Sequence, residues 1–107
     1  MRPLSQTAVK EAYRLTESLE LVQGAPLHIG APSEIGIRSL ETPDYGDAVR
    51  IAPDETPVFW SSPATIQAVL RFAKLPLAIT ETPGFPLVSD IRNAALPELF
   101  KKEKARV

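Results

Sequence analysis

Few side chains in this sequence can carry chemistry, and their types narrow what that chemistry is. There is no cysteine and only one histidine, which removes thiol nucleophiles, disulfides and Cys-based zinc sites and argues against a catalytic metal held by protein groups. Carboxylates, hydroxyls, backbone dipoles and His28 remain. His28 stands between Leu27 and Ile29 in a short extended piece that runs into Gly30. An imidazole there suits proton transfer near neutral pH, although a lone His on an apolar strand also serves as a hydrogen-bonded structural residue. Asp44, with Asp47, Glu34 and Glu41, crowds a Gly/Pro-rich stretch. Carboxylates held close together could divide acid and base roles, whereas Pro43-Asp44-Tyr45-Gly46 is equally the composition of a tight turn.

The third group surrounds Trp60-Ser61-Ser62. Ser62 followed by Pro63 and Thr65 reads as a helix start, with Ser62 at the N-cap and Pro63 at the first helical position. Unpaired amides at such an end, with the Ser61, Ser62 and Thr65 hydroxyls, could hold a carboxylate or a developing oxyanion, and Gln67 could orient it. Glu81, Thr82 and Gly84 are expected beside the same crevice. By itself this pattern also fits a plain helix cap and a solvated turn carboxylate.

These residues need elements to position them. Val9, Ala12, Tyr13, Thr16 and Leu19 recur at helical spacing within residues 5–20, with Ser5 or Thr7 as cap. From Gly24 to Asp47, glycines and prolines cut the apolar pieces short, giving a loop with brief extended segments that is long enough to be a functional candidate. Pro57 to Trp60 reads as a strand. The helix that follows carries Ile66, Val69, Leu70 and Ala73 and is apolar nearly all round. Leu77-Ala78-Ile79-Thr80 reads as a second strand, so the order predicts a parallel βαβ unit with a right-handed crossover. Glu81-Thr82-Pro83-Gly84 reads as a turn, Leu87-Val88-Ser89 as a strand, and a C-terminal helix starts near Leu96-Pro97, with Lys101 to Arg106 expected to fray. The fold class expected is α/β or α+β: a small mixed sheet around one βαβ unit, flanked by N- and C-terminal helices.

Composition bounds the setting. The chain has 107 residues, 44% of them hydrophobic, with 12 Lys+Arg against 13 Asp+Glu; one domain spanning residues 1–107 is expected. A net charge of −1 supplies no basic field for phosphates, so nucleic acid is not an expected partner. No apolar run approaches the ~18 residues of a membrane span, and Met1 to Lys10 lacks a signal-peptide core, so no membrane association and a cytoplasmic setting are expected. The 11 prolines, about twice the usual ~5%, lie apart and punctuate the chain.

Several motifs in register resemble the hydro-lyase family that includes D-glutamate cyclase. They are His28-Ile29-Gly30, Ile35-Gly36-Ile37, Pro43-Asp44-Tyr45-Gly46-Asp47, Pro57-Val58-Phe59-Trp60, Thr65-x-Gln67 and Pro83-Gly84 followed by Leu87-Val88-Ser89-Asp90. The resemblance covers residues 1 to about 96 and is to the C-terminal part of longer family members. It implies a lyase of the dehydration or cyclisation class, acting without an organic cofactor on a small carboxylated, glutamate-like substrate, as in conversion of D-glutamate to 5-oxo-D-proline. On this reading His28, Glu81 and Asp44 are the catalytic candidates, and Trp60, Ser61, Ser62, Thr65, Gln67 and Gly84 bind substrate. Three segments depart from the family pattern. Ser62 replaces a Cys, Glu81 and Phe85 stand where the family has His, and Ala31 replaces an Asp. The alternative is a non-catalytic subunit that completes a larger assembly. Either way a homo-oligomer, or a hetero-oligomer supplying the N-terminal portion, is expected.

Overall fold

The computed structural model describes residues 1–82 and 84–104. Its sheet has three short strands: β1 (Arg2–Ser5), β2 (His28–Ile29) and β3 (Glu55–Phe59), in the order β1-β3-β2. Both pairings are antiparallel, with Pro3 opposite Pro57 and His28 opposite Phe59. Three helices accompany it: α1 (Gln6–Glu17), α2 (Pro63–Ala73) and α3 (Leu96–Lys104). A single 3-10 turn follows β2 at Pro32–Ile35 and another precedes α3 at Asn93–Ala95.

β1 runs directly into α1, and Ser5 makes the junction by accepting a bond from the Ala8 amide at 3.4 Å. β3 lies between its two partners and supplies the core: Val58 and Phe59 are the buried hydrophobic residues among those described. Alternation along a strand sends these two side chains to opposite faces, so β3 is covered above and below at this one place.

The class is α+β with N- and C-terminal helices, but the sheet is antiparallel rather than mixed, and no βαβ unit forms among the described residues. The strand and the helix of the expected unit are present; its second strand is not. A strand has two edges, and β1 and β2 occupy both edges of β3, leaving no slot for residues 77–80. Those residues, and the expected strand at 87–89, are unpaired, and Ile79 is 90% exposed. β1 is an element that the residue pattern did not suggest, because Pro3 argues against a strand. It is tolerated because the Pro57 carbonyl points to β2, where it accepts from Gly30 at 3.0 Å. The Pro3–Pro57 pair therefore falls where neither amide is needed between β1 and β3. The expected turn survives as a tight bridge between Thr82 and Phe85; Pro83 lies outside the described residues. α3 holds its helical form through Lys104 where fraying was expected, and Arg106 lies outside the described residues.

The surface is large for the mass. A folded monomer of 11.7 kDa exposes about 5,900 Å², against 9086 Å² here. The radius of gyration is 16.3 Å, where about 13 Å is usual for this length. Among the described residues, no helix is long and apolar enough to cross a membrane.

Candidate functional site

The first group of candidates sits on the sheet. Antiparallel pairing sets His28 opposite Phe59, one residue before Trp60. The imidazole lies against the Phe59 ring, with centroids 5.8 Å apart and planes inclined by 41°. Its Nε2 is 2.9 Å from the Ala31 carbonyl oxygen. A carbonyl only accepts, so Nε2 carries the proton and, in the neutral ring, Nδ1 is the acceptor. Glu34 Oε2, on the 3-10 turn, lies 3.6 Å from the same Nε2, close enough to balance the charge of a protonated ring. The His28 side chain is 14% exposed and that of Glu34 67%.

At the end of β3, Trp60 is half-buried and donates its indole N–H to Thr16 Oγ1 of α1 at 3.2 Å. Beyond it the helix start forms where the sequence puts it. Ser62 Oγ accepts from the Thr65 amide at 3.4 Å, and Thr65 Oγ1 accepts from the Ser62 amide at 3.2 Å, a reciprocal capping box. The two hydroxyls are 3.3 Å apart. The groups expected to face a ligand are thus the ones that the cap uses. Pro63 has no N–H, so Ala64 has the only first-turn amide without a partner among the described residues. Ser61 is half-buried and Ser62 exposed.

The third group gathers on α2. Gln67 Nε2 donates to the Glu81 carbonyl at 3.4 Å, bringing Glu81 beside the helix. The Glu81 carboxylate turns to its own loop, where Oε2 accepts from the Leu87 amide at 2.7 Å. Gly84 lies at the tip of that loop with φ +85°, a conformation that costs a residue with a Cβ. One turn after Gln67, Arg71 donates to the Tyr45 hydroxyl at 3.1 Å and ties down the loop that holds Asp44. Asp44 itself is exposed in a bend that Gly46 completes at φ +75°.

Apart from the Trp60–Thr65 helix start, the candidates fall into two groups: His28 of the sheet with Glu34 of the 3-10 turn, and Gln67 and Arg71 of α2 with the Glu81 and Tyr45 that they contact. No hydrogen bond or ion pair links the two among the described residues. Residue types and spacing did not single out Arg71, and they placed Glu34 among the crowded carboxylates with Asp44 rather than beside His28. The signal available for Arg71 was its i+4 relation to Gln67, which sets both on one helix face. Nor do three His, Asp or Glu side chains converge as a metal would require, among the described residues. A groove of about 380 Å³ between the end of α1 and α3, lined by Leu19, Leu21, Val22, Pro97 and Phe100 among others, contains none of these candidates.

The D-glutamate cyclase family profile matches residues 1–90. The chain belongs to the D-glutamate cyclase family. A relative from Rhodopseudomonas palustris (strain BisB5), provisionally named a hydro-lyase, is 50% identical over 99 residues, which is 92% of this chain and 36% of the relative. Relatives of the same provisional name from Rhizobium johnstonii and Burkholderia ambifaria are each 51% identical over 96 residues, 90% of this chain and 36% and 37% of the relatives. The chain thus spans little more than a third of the length of the curated relatives that it matches.

Proposed function

We propose that this chain carries part of the site of a lyase that dehydrates or cyclises a small, glutamate-like carboxylate in the cytoplasm. The observation that supports this most directly is the setting of His28: proton on Nε2, acceptor on Nδ1, ring fixed by Phe59 and Ala31, and Glu34 beside it. In a cyclisation of this class an amine nitrogen attacks the distal carboxyl carbon. A C–N bond forms, a C–O bond breaks, and the two protons that the ammonium gives up leave with the oxygen as water. His28 Nδ1 takes a proton from the nitrogen, and Glu34 balances the imidazolium. Glu81 or Asp44 returns a proton to the departing oxygen. Such proton transfers contribute roughly 10²–10⁴ in rate.

Arg71 supplies the cation that a carboxylate substrate needs, with Gln67, Trp60, Ser61, Ser62, Thr65 and Gly84 shaping the binding surface around it. The test is incubation of this chain, joined to the unmatched segment of the Rhodopseudomonas palustris relative, with D-glutamate and related dicarboxylates, with product followed by NMR. Turnover that falls at least 100-fold in His28→Ala is the expected result. Unchanged turnover in His28→Ala combined with Glu81→Gln, or no product from any such carboxylate, overturns the reading.

A further inference from the structure

Helix α2 is attached to the rest of the chain by its polar side. Gln67 and Arg71 reach Glu81 and Tyr45, while Val69 and Phe72 are 60% and 90% exposed. At about 100° per residue these two pairs point in directions roughly 150° apart. A surface helix ordinarily buries its apolar stripe; α2 leaves Ile66, Val69 and Phe72 exposed, with Leu70 half-buried. The apolar surface continues along the following segment, where Leu77 and Ile79 are 76% and 90% exposed, and is joined by Leu87 and Val88, both 86% exposed. Exposed apolar surface on this scale marks an interaction face.

The surface of the whole chain bears on what covers this face. The chain exposes about 3,000 Å² more than a closed monomer of its mass. A standard interface removes only about 800 Å² per partner, and an obligate dimer of two equal chains about 1,000–2,500 Å². A second copy would leave about 500–2,000 Å² of the excess exposed, whereas a folded body larger than this chain can wrap more of it. The relatives contain such a body, since their matching region is only 36% of their length. We propose that the α2 face around Val69, Phe72, Leu77 and Ile79 is one half of a core-type interface. Its occupant is polypeptide equivalent to the larger, unmatched part of the family members. The proposal does not depend on the chemistry assigned to His28.

The test co-expresses this chain with the unmatched segment of the Rhodopseudomonas palustris relative and purifies through a tag on that segment. A 1:1 complex is expected. The chain has no cysteine, so Phe72→Cys, Ile79→Cys and, as a control on α1, Lys10→Cys each introduce one thiol. The first two should react with a maleimide at least tenfold more slowly in the complex than in the chain alone, and the control at the same rate in both. Phe72→Asp combined with Ile79→Asp should lower co-purification at least tenfold while helicity by circular dichroism is unchanged. Absence of a complex overturns the proposal, as does a complex in which the thiols at 72 and 79 stay reactive. So does a dimer of this chain alone that protects them, which would assign the face to a second copy.

Discussion

The Trp60 indole donates to Thr16 Oγ1 at 3.2 Å, and that hydroxyl donates in turn to the Ala12 carbonyl at 2.8 Å. This relay links the end of β3 to the last turn of α1 across 44 residues of sequence. It fixes the ring from which the turn into α2 departs. Each bond of this kind contributes about 0.5–1.5 kcal/mol net. Trp60→Phe and Thr16→Val should each destabilise the fold, and the double variant by less than their sum, with a coupling of about 1 kcal/mol by urea denaturation. Additive losses would show that the two residues act independently.

Val58 is fully buried at the centre of the sheet. Truncation removes two methyl groups at about 0.8 kcal/mol each and leaves a cavity besides. Val58→Ala should therefore cost about 2–3 kcal/mol by chemical denaturation, more than Leu77→Ala, because Leu77 is already 76% exposed.

The Ser62–Thr65 box distinguishes capping from ligand binding. Ser62→Ala should lower stability by about 1 kcal/mol and Ser62→Gly by only a few tenths. If Ser62 also holds the substrate, both variants should weaken carboxylate binding alike in calorimetry, whatever their stabilities. Unchanged affinity in both would leave Ser62 a cap alone.

Arg71 is the cation proposed to receive the substrate carboxylate. Arg71→Leu should weaken binding of a glutamate-like dicarboxylate roughly tenfold or more, the range of a hydrogen bond to a charged group. Tyr45→Phe, which removes only the hydroxyl that Arg71 contacts, should have a smaller effect. Equal losses would point to loop anchoring as the role of the pair.

Acid should weaken α1. Arg14 lies 2.7 Å from Glu11, and its hydrogen bond and charge hold the Glu11 carboxyl below the usual glutamate range. A group whose value is lowered by folding stabilises the fold above its unfolded value, about 4.3. That contribution is lost as pH falls from there through the lower folded value. Helicity of α1 should thus decline on acidification below about pH 4. Glu11→Gln should remove that part of the transition, and salt should weaken it because both groups face solvent.

Local signals carried much of the fold. Ser5 and Ser62 mark the two helix starts, and apolar spacing marks α1 and α2. The topology was not legible because a strand reading of 77–80 is made without knowing which edges of β3 are taken. β1 hides behind Pro3, whose missing amide matters only on the side facing a partner. The usual rule that an apolar helix stripe packs inward also failed at α2, where the stripe faces out. His28, Gln67 and Glu81 could be picked out by type. The Tyr45–Arg71 contact spans 26 residues and left no local trace.

Gly30 donates to Pro57, but Pro57 has no amide to give back, and β2 ends at Ile29. The lone imidazole consequently rides on a short tether, hinged at a ladder rung that is only half made. Backbone bonds from Leu27 to Phe59 at 2.7 Å and from Gly30 to Pro57 at 3.0 Å hold that tether on either side of the ring. β1 meets β3 through four residue pairs and β2 through two, so the group proposed to shuttle protons stands on the shorter of the two ladders.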